Sequence, residues 1–139
     1  MTRINVVPVE ELSDQHLIAE YRELPRCIKQ KINVKNAPTT YCLGTGHMKW
    51  ARAHIKFLLR RYRQLCVEMA YRGFTVNFGW DSLVYIACLY SPAGCLNTDY
   101  APTRKDIKLN KERLIEKYCK KPTFYKWTHR NKPKYMEEQ

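Results

Sequence analysis

The chain has 139 residues, of which 45% are hydrophobic and 27% charged, and its formal net charge is +12. This composition is typical of a folded globular domain and argues against a disordered chain. The longest unbroken apolar run, residues 83–89, is too short to cross a bilayer. The charge excess points to a polyanionic partner, either nucleic acid or an anionic membrane surface.

Positive charge is concentrated in two parts of the chain. Residues 24–72 contain eleven basic residues and one acidic residue, and residues 102–139 contain twelve basic and five acidic residues. Residues 73–101 between them contain no Lys or Arg. We expect the two basic segments to share one face of the molecule.

The first predicted helix begins at Ser13, a favourable N-cap residue. Leu12 and Leu17 have the spacing of a hydrophobic staple, and a stripe of apolar residues at helical spacing follows: Leu17, Tyr21, Leu24 and Ile28. Pro25 should interrupt and bend this helix.

The second predicted helix covers residues 48–72 and stops at Gly73. Its predicted buried stripe consists of Ile55, Leu58, Leu59, Tyr62, Cys66, Met69 and Ala70, and its predicted charged face of Arg52, Lys56, Arg60 and Arg63. Residues 43–47 (LGTGH) form a glycine-containing turn whose following amides could meet a phosphate.

A third helix is expected within residues 103–120, where Thr103 and Asp106 have the spacing of a capping box and Pro122 follows. Its inward positions are Ile107, Leu114 and Tyr118. Residues 74–101 are predicted to be irregular, with a short strand at 83–89. The expected fold class is all-α: one compact domain over residues 1–139, with three main helices and long connections.

Polar residues fall into two neighbouring rows on the first helix, opposite its apolar stripe. Gln15, Arg22 and Arg26 form one row, and His16, Glu20 and Glu23 form the other. This pattern fits either a binding face or an ordinary solvated face with local ion pairs. Spacing alone leaves both interpretations open.

The residue after the initiator is small, so Met1 would normally be removed to leave the α-amine of Thr2 free. Such an amine has a reference pKa of roughly 7.7–8.0, and nearby arginines would lower that pKa. A neutral amine can attack an electrophilic sugar carbon and form a Schiff base. The alternative is an ordinary frayed terminus.

The six cysteines form no CxxC pair, and the four histidines add no ligand spacing, so we expect no zinc site. The sequence opens with no signal-peptide pattern, and the cysteines are therefore expected to be reduced, mostly buried thiols. In residues 122–135 (PTFYKWTHRNKPKY), aromatic and basic residues alternate. Such a segment can stack on bases and hold phosphates, or it can anchor a tail to the core.

Several blocks of the sequence resemble the phage-type pyrimidine-dimer DNA glycosylases, the endonuclease V family of the T-even phages. They include MTRIN at residues 1–5, VEELSDQHLIAEYRELPR at 9–26, LGTGH at 43–47, RGF at 72–74, DY at 99–100 and PTFYK at 122–126. The resemblance implies an all-α fold with the N-terminus laid across the first helix. It also implies an enzyme that excises a damaged pyrimidine and nicks the strand at the abasic site by β-elimination.

The resemblance also implies roles for individual residues. The Thr2 amine would attack the sugar C1′, and Glu23 would stabilise the cationic sugar and move protons. Residues that would contact DNA are Arg3, Gln15, His16, Arg22, Arg26, Lys117, Tyr125 and Lys126. The partner would be double-stranded DNA containing damaged pyrimidines. The enzyme would act as a monomer, without cofactor or metal, in the cytoplasm of a bacterial or phage-infected cell.

Three regions depart from the family type member. Phe124 replaces a Trp, residues 75–97 do not align, and the segment after Arg26 is shorter. Because of these changes, the sequence allows two kinds of substrate lesion: a UV-induced cyclobutane pyrimidine dimer, or another damaged base such as a formamidopyrimidine. The main alternative function is a non-catalytic, basic DNA-binding relative. A membrane-surface protein is disfavoured, because the basic helix has ordinary core residues opposite its charges.

Overall fold

Six α-helices and one short 3₁₀-helix make up the regular structure of the computed structural model, which describes residues 4–137. The 3₁₀-helix is Val9–Glu11, and the α-helices are α1 (Asp14–Lys29), α2 (His47–Arg52), α3 (Ile55–Tyr71), α4 (Trp80–Tyr90), α5 (Arg104–Lys120) and α6 (Lys134–Glu137). No β-strand occurs in this part of the chain. The predicted all-α class is confirmed, but four helices of eleven or more residues are present where three were expected.

The start of α1 is formed as its sequence predicts. The Ser13 hydroxyl accepts a hydrogen bond from the backbone N–H of His16 at 3.1 Å, so the cap is in place. The predicted stripe is buried along its whole length: Leu17, Tyr21, Leu24 and Ile28. Pro25 lies inside the helix, which continues beyond it to Lys29.

The prediction of one long helix over residues 48–72 was wrong, because Ala53 and His54 separate α2 from α3. The first amides of α3 are satisfied by a later loop: Ile55 N–H donates to the Cys95 carbonyl at 3.2 Å and Lys56 N–H to the Thr98 carbonyl at 3.1 Å. The break is therefore set by tertiary contacts, without a Gly or Pro at that point in the sequence.

The end of α3 follows the prediction. Gly73 has a left-handed φ of 86°, and the Phe74 N–H bonds the Met69 carbonyl at 2.9 Å. These are features of a Schellman cap.

Arg52 was placed on the charged face, and that prediction was also wrong. Its side chain is buried, and its guanidinium donates to the carbonyls of Ile28 and Tyr90. Those carbonyls lie at the ends of α1 and α4, so Arg52 satisfies the C-termini of two helices. Lys56, Arg60 and Arg63 are exposed, as predicted.

The stretch predicted to be irregular contains α4, and the strand expected at residues 83–89 does not form. Leu83 and Ala87, one turn apart, are its buried residues, whereas Tyr85 and Leu89 are 66% and 61% exposed. Because apolar residues occur on every side of α4, the period-3.6 signal is hidden in the sequence. α3 packs against both α1 and α4, which also contact each other.

Thr103 and Asp106 form the predicted capping box of α5. Leu114 and Tyr118 are buried, as expected, and Ile107 packs partly against the core. Asn110 also lies on this inward face and is fully buried.

Within residues 4–137, no helix combines the length and the apolar character that a membrane span requires.

Candidate active site

The backbone of residues 4–7, named here the N-terminal strap, is held by hydrogen bonds from several elements. At its first described residue, Ile4 N–H donates to Nε2 of His47 at 3.2 Å, and the Tyr41 hydroxyl donates to the Ile4 carbonyl at 2.9 Å. His47, Tyr41 and Ile4 are all buried. Both polar groups of the Ile4 backbone are therefore fixed by side chains.

The other end of the strap is fixed by α5 and α3. Asn110 Oδ1 accepts from the N–H groups of Val6 and Val7, at 2.8 and 3.1 Å. Arg61 Nη1 donates to the Val7 carbonyl at 2.6 Å. Both side chains are buried, so the strap has its backbone partners in the protein interior.

A buried polar network joins the strap to α1. Asn5 Nδ2 donates to Glu20 Oε1 at 2.9 Å, and Asn110 Nδ2 donates to Asn5 Oδ1 at 2.8 Å. Arg61 forms a two-pronged ion pair with Glu20, with N–O distances of 2.7 and 3.0 Å. Glu20 was expected on the polar face of α1, and this was wrong: it is 1% exposed, because it is the partner of Arg61.

Glu23 lies one helical turn beyond Glu20 and is half-buried, with 17% of its side chain exposed. Arg26 Nη1 donates to Glu23 Oε1 at 3.0 Å, so these two members of the neighbouring rows meet as expected. Arg22 is exposed beside them. Thr2 and Arg3 lie outside the described residues, directly before the strap.

A cavity of about 250 Å³ lies between α1, α5 and the C-terminal segment. It brings together four of the sequence-predicted site residues: Gln15, His16, Lys117 and Tyr125. Its remaining lining residues are Asn5, Ala19, Glu20, Arg113, Leu114 and Phe124. Glu23 is not among the lining residues. It lies one turn further along the helix face that carries His16 and Ala19.

His16 is held as a neutral imidazole. Its ring stacks on Tyr125 with centroids 4.7 Å apart, and its Nδ1 lies 3.0 Å from the Ser13 hydroxyl. Burial, and to a lesser extent the charge of Lys117, lowers the pKa of His16 to about 4. Its Nε2 is buried without a hydrogen-bond partner in the described part of the chain.

The C-terminal segment is attached to the start of α1. The Lys126 N–H donates to Gln15 Oε1 at 3.0 Å, and the Asp14 N–H donates to the Lys126 carbonyl at 2.7 Å. The Trp127 indole N–H donates to the Glu11 carbonyl at 3.0 Å. Phe124, in contrast, is 55% exposed and has its ring centroid 5.2 Å from that of Tyr125. The anchoring interpretation therefore holds for Trp127, whereas the exposed ring of Phe124 leaves base stacking as a prediction.

Over residues 4–137, no group of three or more His, Cys, Asp or Glu side chains is placed to hold a metal ion. The six cysteines all lie in this part of the chain and none of them forms a disulfide there; two are buried and two half-buried.

Sequence reasoning missed the residues that hold the strap, namely Tyr41, His47, Arg61 and Asn110. Two of them carried a signal. Asn110 interrupts an inward apolar stripe, and Arg61 adjoins the buried stripe of α3. A polar residue at such a position generally has a buried partner. Tyr41 carried no comparable signal. His47 was singled out only as the end of the LGTGH turn, and nothing in that motif indicated its partner Ile4, about 40 residues away in the chain.

Residues 1–82, which are 82 of the 139 residues, match the family model described as pyrimidine dimer DNA glycosylase. The match covers the strap, α1, α2 and α3, and therefore Glu23 and most of the residues that hold the strap.

Proposed function

Because this chain belongs to the pyrimidine dimer DNA glycosylase family, we propose that it cuts the N-glycosidic bond of a damaged pyrimidine in duplex DNA and then nicks the strand at the abasic site. The preferred lesion is the cyclobutane pyrimidine dimer, in keeping with the family description. The observation that carries the proposal is the strap. A segment two residues from Thr2 is fixed by buried hydrogen bonds and tied through Asn5 to the helix of Glu23.

The nucleophile is the α-amine of Thr2, freed by removal of Met1. Two residues of fully extended chain span at most about 7 Å, so this amine stays within that distance of the fixed Ile4 nitrogen. A well-ordered attachment point limits the volume that a reactive group explores, which favours attack on a bound sugar. A firmly held strap therefore favours covalent attack by the amine of Thr2.

In the first step, the amine nitrogen forms a bond to C1′, and the bond from C1′ to the base nitrogen breaks. The base leaves with that electron pair and takes up a proton. The one proton that the amine loses passes to the departing base. Opening of the sugar ring at O4′ then gives the protonated imine, and the O4′ oxygen takes a second proton from solvent water. Glu23 stabilises the positive charge that develops on the sugar.

Strand cleavage follows from the imine. A base removes a proton from C2′, the electrons form the C2′–C3′ double bond, and the bond from C3′ to its phosphate oxygen breaks. Water then hydrolyses the imine and releases the enzyme. Glu23 is the base, because it is the carboxylate at the exposed face of α1 and 17% of its side chain is open to an incoming strand.

DNA is held by the basic and aromatic residues around these groups. Arg22 and Arg26 are exposed beside Glu23, and Lys126 is exposed at the start of α1. Arg3, which directly precedes the strap in the sequence, is proposed to contact DNA as well. Arginine and lysine side chains in this arrangement neutralise phosphates on both sides of the reacting nucleotide. Gln15, His16, Lys117 and Tyr125 face the adjoining cavity. We propose that His16, whose pKa is lowered by burial, acts near the sugar as a neutral group.

The experiment is incision of duplexes that each carry one lesion, with and without borohydride. The substrates are a cyclobutane thymine dimer, a formamidopyrimidine, an abasic site and an undamaged control. We expect incision and a reduced covalent adduct with the dimer duplex. Incision of the formamidopyrimidine alone would change the assigned lesion. Binding of damaged DNA without incision of any duplex would instead support the non-catalytic relative.

A further inference from the structure

We infer that Tyr41 and His47 are positioning residues for the amine nucleophile, acting through the backbone of Ile4. The inference rests on the proposed function, since it assumes that the reactive amine belongs to Thr2. Neither side chain has to touch DNA for this role. Each holds one of the two backbone polar groups of the residue from which the chain continues toward Thr2.

His47 is set up as a hydrogen-bond acceptor for Ile4. Its Nδ1 lies 2.7 Å from the carbonyl oxygen of Cys42, which can only accept, so the proton is on Nδ1. Nε2 is then the unprotonated nitrogen, and it accepts from the Ile4 N–H at 3.2 Å. The tautomer of His47 is thus fixed by the turn that precedes α2.

The turn itself places this imidazole. Gly44 and Gly46 both have left-handed φ values, 69° and 91°, which residues with a Cβ adopt at a cost. A Cβ at Gly46 would lie 3.1 Å from the Pro38 side chain. Gly46 is the N-cap residue of α2, and His47 is the first helical residue. The LGTGH segment therefore presents a ring nitrogen to the strap.

Tyr41 holds the carbonyl side of the same residue. Its hydroxyl donates to the Ile4 carbonyl at 2.9 Å, and the ring is 4% exposed. The rings of Tyr41 and His47 meet edge to face, with centroids 5.7 Å apart, and both contact Trp50. The two hydrogen bonds to Ile4 therefore come from one packed aromatic cluster, which allows little independent movement of either partner.

Loss of either bond would leave a buried backbone group of Ile4 without its partner. The strap would still be held further along by Asn110 and Arg61. The fold should therefore survive, while the end of the strap next to the amine gains freedom. Misplacement of a reacting group by about 1 Å can cost on the order of a hundredfold in rate.

The test compares Tyr41→Phe with a matched control, Tyr62→Phe. The Tyr62 hydroxyl donates to the Phe78 carbonyl at 2.5 Å, and its ring is fully buried in α3. Both variants delete one buried hydroxyl that bonds a backbone carbonyl and keep the aromatic ring. Three quantities are measured for each: single-turnover excision rate, Kd for the lesion duplex, and the midpoint of thermal unfolding.

We expect Tyr41→Phe to lower the single-turnover rate and the rate of borohydride trapping by at least about tenfold, with Kd within about twofold of the wild type. Tyr62→Phe should lower the unfolding midpoint to a similar extent but leave both rates within about twofold. A wild-type rate in Tyr41→Phe, or an equal loss of rate in the two variants, would overturn the inference for Tyr41.

His47 is tested by rescue. His47→Gln keeps an acceptor oxygen that can reach the Ile4 N–H, whereas His47→Phe keeps the ring and loses the acceptor. We expect His47→Gln to retain severalfold more activity than His47→Phe at equal DNA binding. Equal rates in the two variants would overturn the inference for His47. The proposed function has a separate outcome, because its failure would appear as absence of trapping in the wild type.

Discussion

The guanidinium of Arg26 donates to the carboxylate of Glu23, with Nη1 and Oε1 3.0 Å apart, at the edge of the exposed face of α1. The arginine side chain is 69% exposed and the glutamate side chain 17% exposed, so the pair has one member facing solvent and one partly shielded. In the proposed mechanism such a pair exchanges partners: a DNA phosphate takes the arginine and leaves the carboxylate for the sugar.

Glu23→Gln should bind damaged duplex with nearly wild-type affinity and excise the base at least about a hundredfold more slowly, because the amide can neither take a proton nor stabilise a cation as the carboxylate does. Single-turnover incision and a binding titration measure the two quantities. Glu116→Gln is the control, since Glu116 is 59% exposed on α5 and its ion pairs among residues 4–137 are with its helix neighbours Arg113 and Lys120. Normal turnover by Glu23→Gln would remove this residue from the mechanism.

Arg26→Gln should weaken DNA binding and make it less sensitive to salt. If Arg26 neutralises one phosphate, the slope of log K against log salt concentration should become shallower by about 1. Arg104→Gln serves as the control: Arg104 is exposed and lies about 20 Å along α5 from Lys117, at 1.5 Å per helical residue. A slope that is identical in the wild type and Arg26→Gln would place the phosphate contacts elsewhere.

Phe124→Ala should reduce affinity for DNA without reducing stability, because the ring is 55% exposed. Loss of a base-stacking ring costs about 1 kcal/mol or more, which corresponds to roughly a fivefold or larger rise in Kd. Tyr85→Ala removes a ring of similar size that is 66% exposed on α4, and should leave Kd unchanged. A stability loss in Phe124→Ala with unchanged Kd would make this ring part of the core.

Protein stability should fall on mild acidification because of His16. The folded-state pKa of about 4 lies below the ordinary value of 6.5, so the unfolded chain takes up the proton first. The contribution of the neutral ring is fully present above pH 6.5 and is lost as the pH falls toward 4. The slope from this one group is at most about 1.4 kcal/mol per pH unit.

Denaturant unfolding of the wild type and His16→Phe between pH 4.5 and 7.5 checks this expectation. The phenylalanine can keep the stacking contact with Tyr125 but does not titrate. The unfolding free energy of the wild type minus that of His16→Phe should therefore decrease as the pH falls. A difference that is constant over this range would contradict the assignment of a buried neutral imidazole.

The parts of the fold that the sequence predicts correctly depend on local interactions. Ser13, Gly73 and Thr103 cap helices through residues within a few positions of themselves, and all three caps are present. The break at Ala53 and His54 was not predictable in this way, because its hydrogen-bond partners, including Cys95, come from a loop about 40 residues later.

The same distinction between local and long-range interactions applies to the candidate site. The helical spacing of His16 and Glu23 could be read directly from the sequence, and these residues do share one face of α1. The burial of Glu20 could not be predicted from the sequence, because it depends on an ion pair with Arg61, 41 residues away. The contact of His47 with Ile4 likewise joins positions 43 residues apart, so the LGTGH turn gave no indication of its partner.

The central claim is that the leading amine of the processed chain is the nucleophile. It is tested most directly by reducing the enzyme–DNA adduct with borohydride, digesting the protein and locating the modified residue by mass spectrometry. The adduct should lie on the peptide that begins with Thr2, with Met1 absent. An adduct on a lysine such as Lys117, or full activity in a chain that retains or acetylates its first residue, would contradict the claim.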